Sequence, residues 1–508
     1  MQSPQKQEWL TAMQQEMKSL DLNNTWTLVQ RPKNTNILTG RWIFSIKTNN
    51  SDILKFKARF CARGYTQNEG IEYLETYAPT AHLTSIRIII NIAVQQNLIV
   101  HQCDVDCAYL NSNVDFDIFM EQPEGFVKDK NMVCLLNKSL YGLKQSGHLW
   151  NNTLIDFMNS QGLKQTLSDQ CVFVRIDDLG SLYVLIWVDD LLIAASSAAI
   201  LNDFKYKFSK KFKIKDLGPV SWFLGMCYKI HKNCITINQK VYTEKILARF
   251  NMTDCKPRSI PCDPSIYALL REPSEPLQNV TKFRELIGSL MYLMTGTRPD
   301  ICYVVTLLSR FMNSPLKIHM TLALGILRYL KYSLNYELSF NKSVNNLRLF
   351  GYADSDHASD LDFKSISGYV FKLNPISAVI SWRSAKQNLV AVSSCEFEYI
   401  ALHEATNEAL FFRQLISELT YKPPITVTIY GDNQGAISLA KHACYHRRTK
   451  HIDLKFHAIR AYVANKSILL RYIQTNENIA DMFTKAVVGS KLRSFETIRG
   501  VVRKGHRN

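Results

Sequence analysis

The chain has 508 residues, 46% of them hydrophobic and 21% charged, a balance that excludes a disordered polymer and a length that calls for two or three domains. Lys and Arg outnumber Asp and Glu by 61 to 44, a formal net charge of +17, which favours polyanionic partners such as nucleic acid. Residues 1–7 are polar and no uncharged apolar run is long enough to span a bilayer, so a soluble, intracellular protein is expected.

In chain order, Trp9, Leu10, Met13, Met17 and Leu20 recur at helical spacing until Asn23 and Asn24 break it. Strands are predicted around residues 26–29 and 42–46. Between Lys55 and Gly64 the cations Lys55, Lys57, Arg59 and Arg63 nearly alternate, which puts most of that charge on one face of a strand. A solvated edge strand would look the same. A helix is predicted from Thr84 to Gln95. After it, Asp104 and Asp106 interrupt an apolar, strand-like run from Leu98 to Asn111, and Asp189 with Asp190 interrupts a second run from Leu182 to Ala195. β-formers on both sides of the second pair place it at the tip of a strand-turn-strand hairpin. Carboxylates inside apolar runs are costly without a turn, a cationic partner or a metal. A plain Asp-Asp turn is one answer. Convergence of Asp104 with Asp189 and Asp190 around two Mg²⁺ ions is the other.

From about Ile230 to Phe340 the pattern is mostly helical. Strand-like stretches follow at residues 347–352, 367–371 and 379–382. A long helix comes next, with Ile400, Ala401, Glu404, Ala405, Glu408, Phe412, Leu415 and Ile416 in a 3.6-residue period. A strand over 425–430 then leads to Asp432 and another helix. The twelve cysteines form no CxxC pair and read as reduced thiols. His442, Cys444, His446, His451 and His457 match no standard zinc-ligand spacing.

With these residues in view, the chain resembles the reverse transcriptase of copia-type LTR retrotransposons over nearly its whole length. The family pattern Gln-x-Asp-Val-x-x-Ala-(Phe/Tyr)-Leu-Asn is met from Gln102 to Asn111, and the Tyr-Val-Asp-Asp box is met at 187–190 with Trp187 in place of Tyr. Residues 57–64, 70–80 and 140–145 match further family segments. The resemblance implies a multidomain α+β and α/β fold. A right-hand polymerase would have fingers and palm over 1–230 and a thumb or connection over 231–345. A ribonuclease H-like domain over 346–490 would follow, then a basic tail over 491–508.

The resemblance also implies roles. Asp104, Asp189 and Asp190 become the catalytic metal ligands of the polymerase, and Asp354, Glu396, Asp432 and Asp481 those of the nuclease, with two Mg²⁺ per site and Mn²⁺ as a substitute. Each nuclease acid also has an ordinary job open to it. Asp354 could be a turn residue, Glu396 half of a capping box with Ser393, Asp432 a helix N-cap and Asp481 a helix-dipole complement. Lys57, Arg59 and Arg63 are expected beside the incoming triphosphate, and Tyr109 as the gate that excludes a 2′-hydroxyl. Gln145 is expected in the template- and nucleotide-binding segment, and His451 as an aid to metal or product release.

The implied function is an RNA-directed DNA polymerase with ribonuclease H activity, acting on an RNA template, a DNA primer, deoxyribonucleoside triphosphates and the RNA:DNA hybrid, in a cytoplasmic particle or the nucleus. Three departures stand against the family pattern: Trp187, Ser112 where Gly is usual, and Ser146-Gly147-His148 where Ala-Pro-Arg is usual. They leave open a decayed remnant that binds nucleic acid without chemistry, and a protein that is a nuclease only. With no Asp-Thr-Gly triplet, zinc knuckle or recognisable integrase portion, the chain is expected to be the C-terminal part of a Pol polyprotein, either a cleavage product or a truncated reading frame.

Overall fold

The computed structural model describes residues 5–49, 52–343, 347–356, 362, 364–389, 393–441, 457–487, 496 and 498–500. Among them, no helix is long and apolar enough to cross a membrane, and every cysteine is a free thiol.

The N-terminal helix, Lys6–Leu22, packs on a long hairpin of Gly40–Asn49 and Asp52–Ala62. Next to it a small sheet joins Trp26–Gln30, Met132–Leu136, Phe119–Met120 and Ile37–Leu38. The central six-stranded sheet runs in the order Ile214–Pro219, Ile99–Val105, Asp190–Ala195, Gly180–Trp187, Val172–Asp177 and Lys164–Gln165. Both of its faces are covered, which is why its strands read as apolar runs rather than alternating ones. Tyr183, Leu185, Leu192 and Ala194 face one core, shared with the Leu83–Gln96 helix. Leu182, Val184, Leu191 and Ile193 face another, built with Trp150, Phe157, Phe204 and Phe208.

The segment read as mostly helical contains the helices Lys240–Arg249, Val280–Gly296 and Lys317–Tyr332 around a separate core. It also supplies two strands that its pattern did not announce, Cys234–Asn238 and Leu338–Asn341, which pair with each other across about a hundred residues and complete a sheet with Trp222–Phe223 and Met226–His231. Their pairing is non-local, so no turn signal joins them.

The last sheet has the order Ser381–Lys386, Ile366–Lys372, Phe350–Ser355, Val427–Gly431 and Ile468–Tyr472. The first three strands are antiparallel and the last two join in parallel. The 27-residue helix Ser394–Thr420 lies on one face of it. Its apolar residues share one cluster with the central sheet, so the two catalytic-looking units meet through a common core.

Candidate active sites

The first candidate site is built on the hairpin tip. Trp187 pairs with Asp190, leaving Val188 and Asp189 as a two-residue turn. Val188 has φ +57°, the left-handed first position that such turns normally give to Gly. For a β-branched residue this stores on the order of 1–3 kcal/mol of strain. The turn is held by its surroundings: the buried Trp150 indole N–H donates to Val188 O at 2.7 Å, and Val105 N–H donates to Asp189 O at 2.8 Å. Asp190 begins the next strand directly opposite Asp104. Burial, then the neighbouring charges of Asp189 and Asp104, push the Asp190 carboxyl up to about 6.

Asp104 and Asp189 line one cleft with Lys57, Arg59, Tyr141 and Lys215. Arg59 lies over the Tyr141 ring at 3.9 Å, and Tyr109 packs on the same ring at 4.7 Å. Burial raises the Tyr109 phenol, and the Asp189 charge adds to the effect. Lys57 and Arg59 are on one face of the Asp52–Ala62 strand, whereas Arg63 lies beyond the strand end and is exposed, outside the cleft lining. Gln145 is also elsewhere. It is fully buried, with its amide donating to Glu72 O at 2.8 Å and Asp115 Oδ1 at 3.2 Å, and its carbonyl accepting from Gln67 at 3.1 Å. Those bonds occupy the side chain in packing the loop, so no group remains directed at the acids.

Sequence reasoning missed Lys215. It is in register with Asp104 on the neighbouring strand, and its ammonium reaches Asp104 Oδ2 at 3.3 Å and forms a closer pair with Asp106. The hydrogen bond to Asp106 holds that ammonium above its ordinary range.

The second candidate site gathers Asp354, Glu398 and Asp432, each of which offers one carboxylate oxygen within 4.8 Å of those of the other two. Here the structure departs from the expected set: Glu398 occupies the place given to Glu396. Two residues along a helix turn a side chain to the far side of the axis. Glu396 lies in the first turn, where its N–H donates to the Ser393 cap at 3.3 Å. A usable signal existed, because Glu398 is in seven-residue step with Ala405, Phe412 and Leu419, all completely buried. Asp432 is freed from capping because Asn433 Oδ1 takes that role, accepting from Ala436 N–H at 2.9 Å.

Three carboxylates this close cannot all ionise without a cation. Burial, then the charges of Asp354 and Asp432, hold Glu398 far above the usual carboxylate range, and burial, then Asp354, raises Asp432. Asp481 is buried beside the cluster but outside the trio, 2.8 Å from Lys485 Nζ. Thr484 donates its hydroxyl to Asp354 Oδ2. The Ile479–Phe483 turn approaches so closely because Gly368, opposite Asp354, has no side chain; a Cβ there would sit 2.7 Å from Phe483 Cβ. His451 and most of the basic tail over 491–508 lie outside the described residues.

Residues 23–264 match the model of the family described as reverse transcriptase (RNA-dependent DNA polymerase). The chain is 39% identical, over 98% of its length, to the Retrovirus-related Pol polyprotein from transposon TNT 1-94 of Nicotiana tabacum. It is 36% identical over 99% of its length to that of transposon RE1 of Arabidopsis thaliana. The putative transposon Ty5-1 protein of Saccharomyces cerevisiae is 34% identical and matched over 99% of its own length, by 60% of this chain. The chain belongs to the copia-type retrotransposon Pol family.

This Pol chain spans 38% of the tobacco polyprotein and 34% of the Arabidopsis one. Its fold is that of the foamy viral protease-reverse transcriptase. The structure of that protein with RNA/DNA hybrid aligns at TM-score 0.53 and 11% identity, over 95% of this chain and 55% of that one. The structure with dsDNA aligns at 0.50 and 12%, over 92% and 83%.

Two of the three departures from the Pol pattern find partners inside the protein, and Trp187 is half-buried against the core. Ser112 is buried with its hydroxyl 2.8 Å from that of Thr153. Ser146 donates to Leu140 O at 2.6 Å, and His148 Nδ1 is 2.9 Å from Tyr77 O. Gly147 lines a small cavity with Tyr109, Trp150 and Val188, behind the turn that carries Asp189.

Proposed function

We propose that this chain copies RNA into DNA at the cleft of Asp104, Asp189 and Asp190, and degrades the RNA of the resulting hybrid at Asp354, Glu398 and Asp432. The single observation that carries the reading is the register pair of Asp104 and Asp190, with Asp189 in the turn beside it, in a chain that gathers a second acidic trio between a different sheet and the helix packed on it. Membership of the Pol family supports it. So does the fold shared with a protein whose structures hold dsDNA and RNA/DNA hybrid.

The donor sets fit hard divalent cations, Mg²⁺ or Mn²⁺, because both are all-oxygen and one is desolvated enough to retain protons when no cation is present. Asp104, Asp189 and Asp190 would hold them in the polymerase cleft, and Asp354, Glu398 and Asp432, with Asp481 alongside, in the nuclease. When bound, such ions lower the pKa of an attacking hydroxyl and offset charge developing on phosphate oxygens.

The protein's own groups supply position. Lys57 and Arg59 face the cleft, where a triphosphate would meet them, and Tyr141 fixes the Arg59 guanidinium by stacking. The Tyr109 ring, braced on Tyr141, limits room at the sugar. In the nuclease, Thr484 orients Asp354 and Lys485 tempers the cluster's negative charge. The formal charge of +17 favours the phosphate backbone of template and hybrid, and a hybrid would be read by groove shape and 2′-hydroxyls.

Primer extension on an RNA template with Mg²⁺ tests the first half, with Asp189→Asn as the inactive control. Hybrid cleavage with Asp432→Asn tests the second. Extension by the parent but not by Asp189→Asn, and cleavage lost in Asp432→Asn with extension spared, is the expected pattern. A parent chain that does neither would remove the reading.

A further inference from the structure

We propose that Arg87 is a positioning residue that pins the two active sites at a set separation, and so determines which RNA phosphate is cut relative to the primer end. The inference rests on the dual activity proposed above and adds a residue to it. Arg87 is buried in the Leu83–Gln96 helix, and among the described residues no carboxylate lies within ion-pair distance of it. Its partners are main-chain carbonyls from two other parts of the fold. One terminal nitrogen donates to Ile380 O at 3.1 Å; the other donates to Gly296 O at 2.8 Å and to Thr295 O. The guanidinium lies over the Trp382 ring at 4.1 Å, and the Trp382 indole N–H donates to Met294 O at 3.0 Å.

One side chain thus joins three elements far apart in sequence: the helix under the central sheet, the C-terminus of Val280–Gly296, and the start of the Ser381–Lys386 strand. The chemistry suits it, because a planar guanidinium has five donors in a fixed fork and the end of a helix presents unpaired carbonyls with partial negative charge. Burial lowers Arg87 to about 9, which leaves it charged at neutral pH. A buried charge is a poor source of stability and a better source of unique geometry.

The route from Arg87 to each site is short and regular. Its helix ends at Gln96 and the chain re-enters the sheet as Ile99–Val105, which carries Asp104. On the other side, Ser381–Lys386 pairs with Ile366–Lys372, where Gly368 faces Asp354. A second set of contacts braces the same arrangement. Tyr421 donates to Val174 O at 3.1 Å, and Ser168 N–H donates to Glu418 Oε2 at 3.1 Å, which ties the end of the long helix to the central sheet.

The test uses the full chain and an RNA strand annealed to a DNA primer with a recessed 3′ end. The parent is expected to cut mainly at one phosphate. In Arg87→Met the cuts spread, and the share of the main product relative to its neighbours falls about fivefold, the low end of coupling between sites. Extension, and cleavage of long hybrid without a primer end, stay at parental rates. Arg87→Lys keeps the charge without the fork and recovers part of the selectivity. Trp382→Phe removes the indole donor and narrows the ring under the guanidinium while keeping Arg87, so it reads the same junction should Arg87→Met fail to fold.

A second readout does not need activity. Spin labels carried by unnatural amino acids at the exposed positions Leu179 and Tyr472 should give a broader distance distribution in the variants than in the parent. An unchanged cut pattern with an unchanged distance distribution in Arg87→Met, or in Trp382→Phe if that variant alone folds, would overturn the proposal. A parent that neither extends nor cuts, yet shows the broadened distances in its variants, would instead sink the functional reading and leave the pin standing.

Discussion

Asp190 stands directly across from Asp104 in the antiparallel register of their strands, and that pairing concentrates negative charge at one end of two interior strands of the central sheet. Lys215 faces Asp104 from the strand on its other side. The cleft therefore balances its acids with a resident ammonium, shared between Asp104 and Asp106.

That ammonium competes with any cation for Asp104. Replacing it, Lys215→Met, should tighten Mg²⁺ binding to the protein free of nucleic acid by up to about fivefold, since a half-exposed pair of this kind is worth at most about 1 kcal/mol. Thermal-shift titration with Mg²⁺ reads this directly. Unchanged or weaker binding would mean that Lys215 is not a competitor.

Glu398 and Glu396 separate cleanly by substitution. Glu398→Gln should lower hybrid cleavage by at least about 100-fold, because loss of a metal-holding carboxylate removes several kcal/mol of transition-state stabilisation. Glu396→Gln should leave most of that activity. Both should extend primers like the parent. Equal losses in the two variants would contradict the geometry of the trio.

Gly368 gives the Ile479–Phe483 turn room to reach Asp354. Gly368→Ala would bring a methyl to 2.7 Å from Phe483 Cβ and 2.9 Å from Thr484 Cγ2, an overpacking that costs about 1–3 kcal/mol. The turn should shift outward, carrying Thr484 and Asp481 with it. Nuclease activity should fall while extension persists, and a variant with parental cleavage and parental Tm would show that the contact is slack.

Lys372 provides a pH signature. It is buried, its ammonium donates to Pro375 O at 2.8 Å, and burial lowers it from 10.5 to about 7. Below pH 7 both folded and unfolded chains hold the proton, and the folded one bears the full cost of burying it. Between about 7 and 10.5 the folded lysine is neutral while the unfolded one remains charged, so its contribution to stability rises with pH, by at most about 1.4 kcal/mol per unit. Unfolding measured from pH 7 to 9 should show this rise, and Lys372→Met should flatten it and be the more stable protein at pH 7. A parallel profile in both proteins would exclude the assignment.

Local pattern carried much of this molecule. Asn23 and Asn24 end a helix that runs to Leu22, the apolar run around Asp189 folds as the hairpin its β-formers indicate, and the long periodic stretch becomes Ser394–Thr420. Other features were invisible for a definite reason. Leu338–Asn341 becomes a strand only by finding Cys234–Asn238, about a hundred residues away. Gln145 has an amide able to meet a substrate, yet three neighbours from distant segments take up its hydrogen bonds.

By itself the amino-acid sequence determined which carboxylates break apolar runs, because charge inside a hydrophobic stretch is a local property of the chain. It did not decide that Glu398 would meet Asp354 and Asp432, although helical phase marked Glu398 over Glu396, nor that Lys215 would share Asp104 and Arg87 would bridge to Ile380. Those outcomes depend on helix packing and on strand register across the sheet. Both are settled only when distant segments pack together and each buried polar group must find a partner.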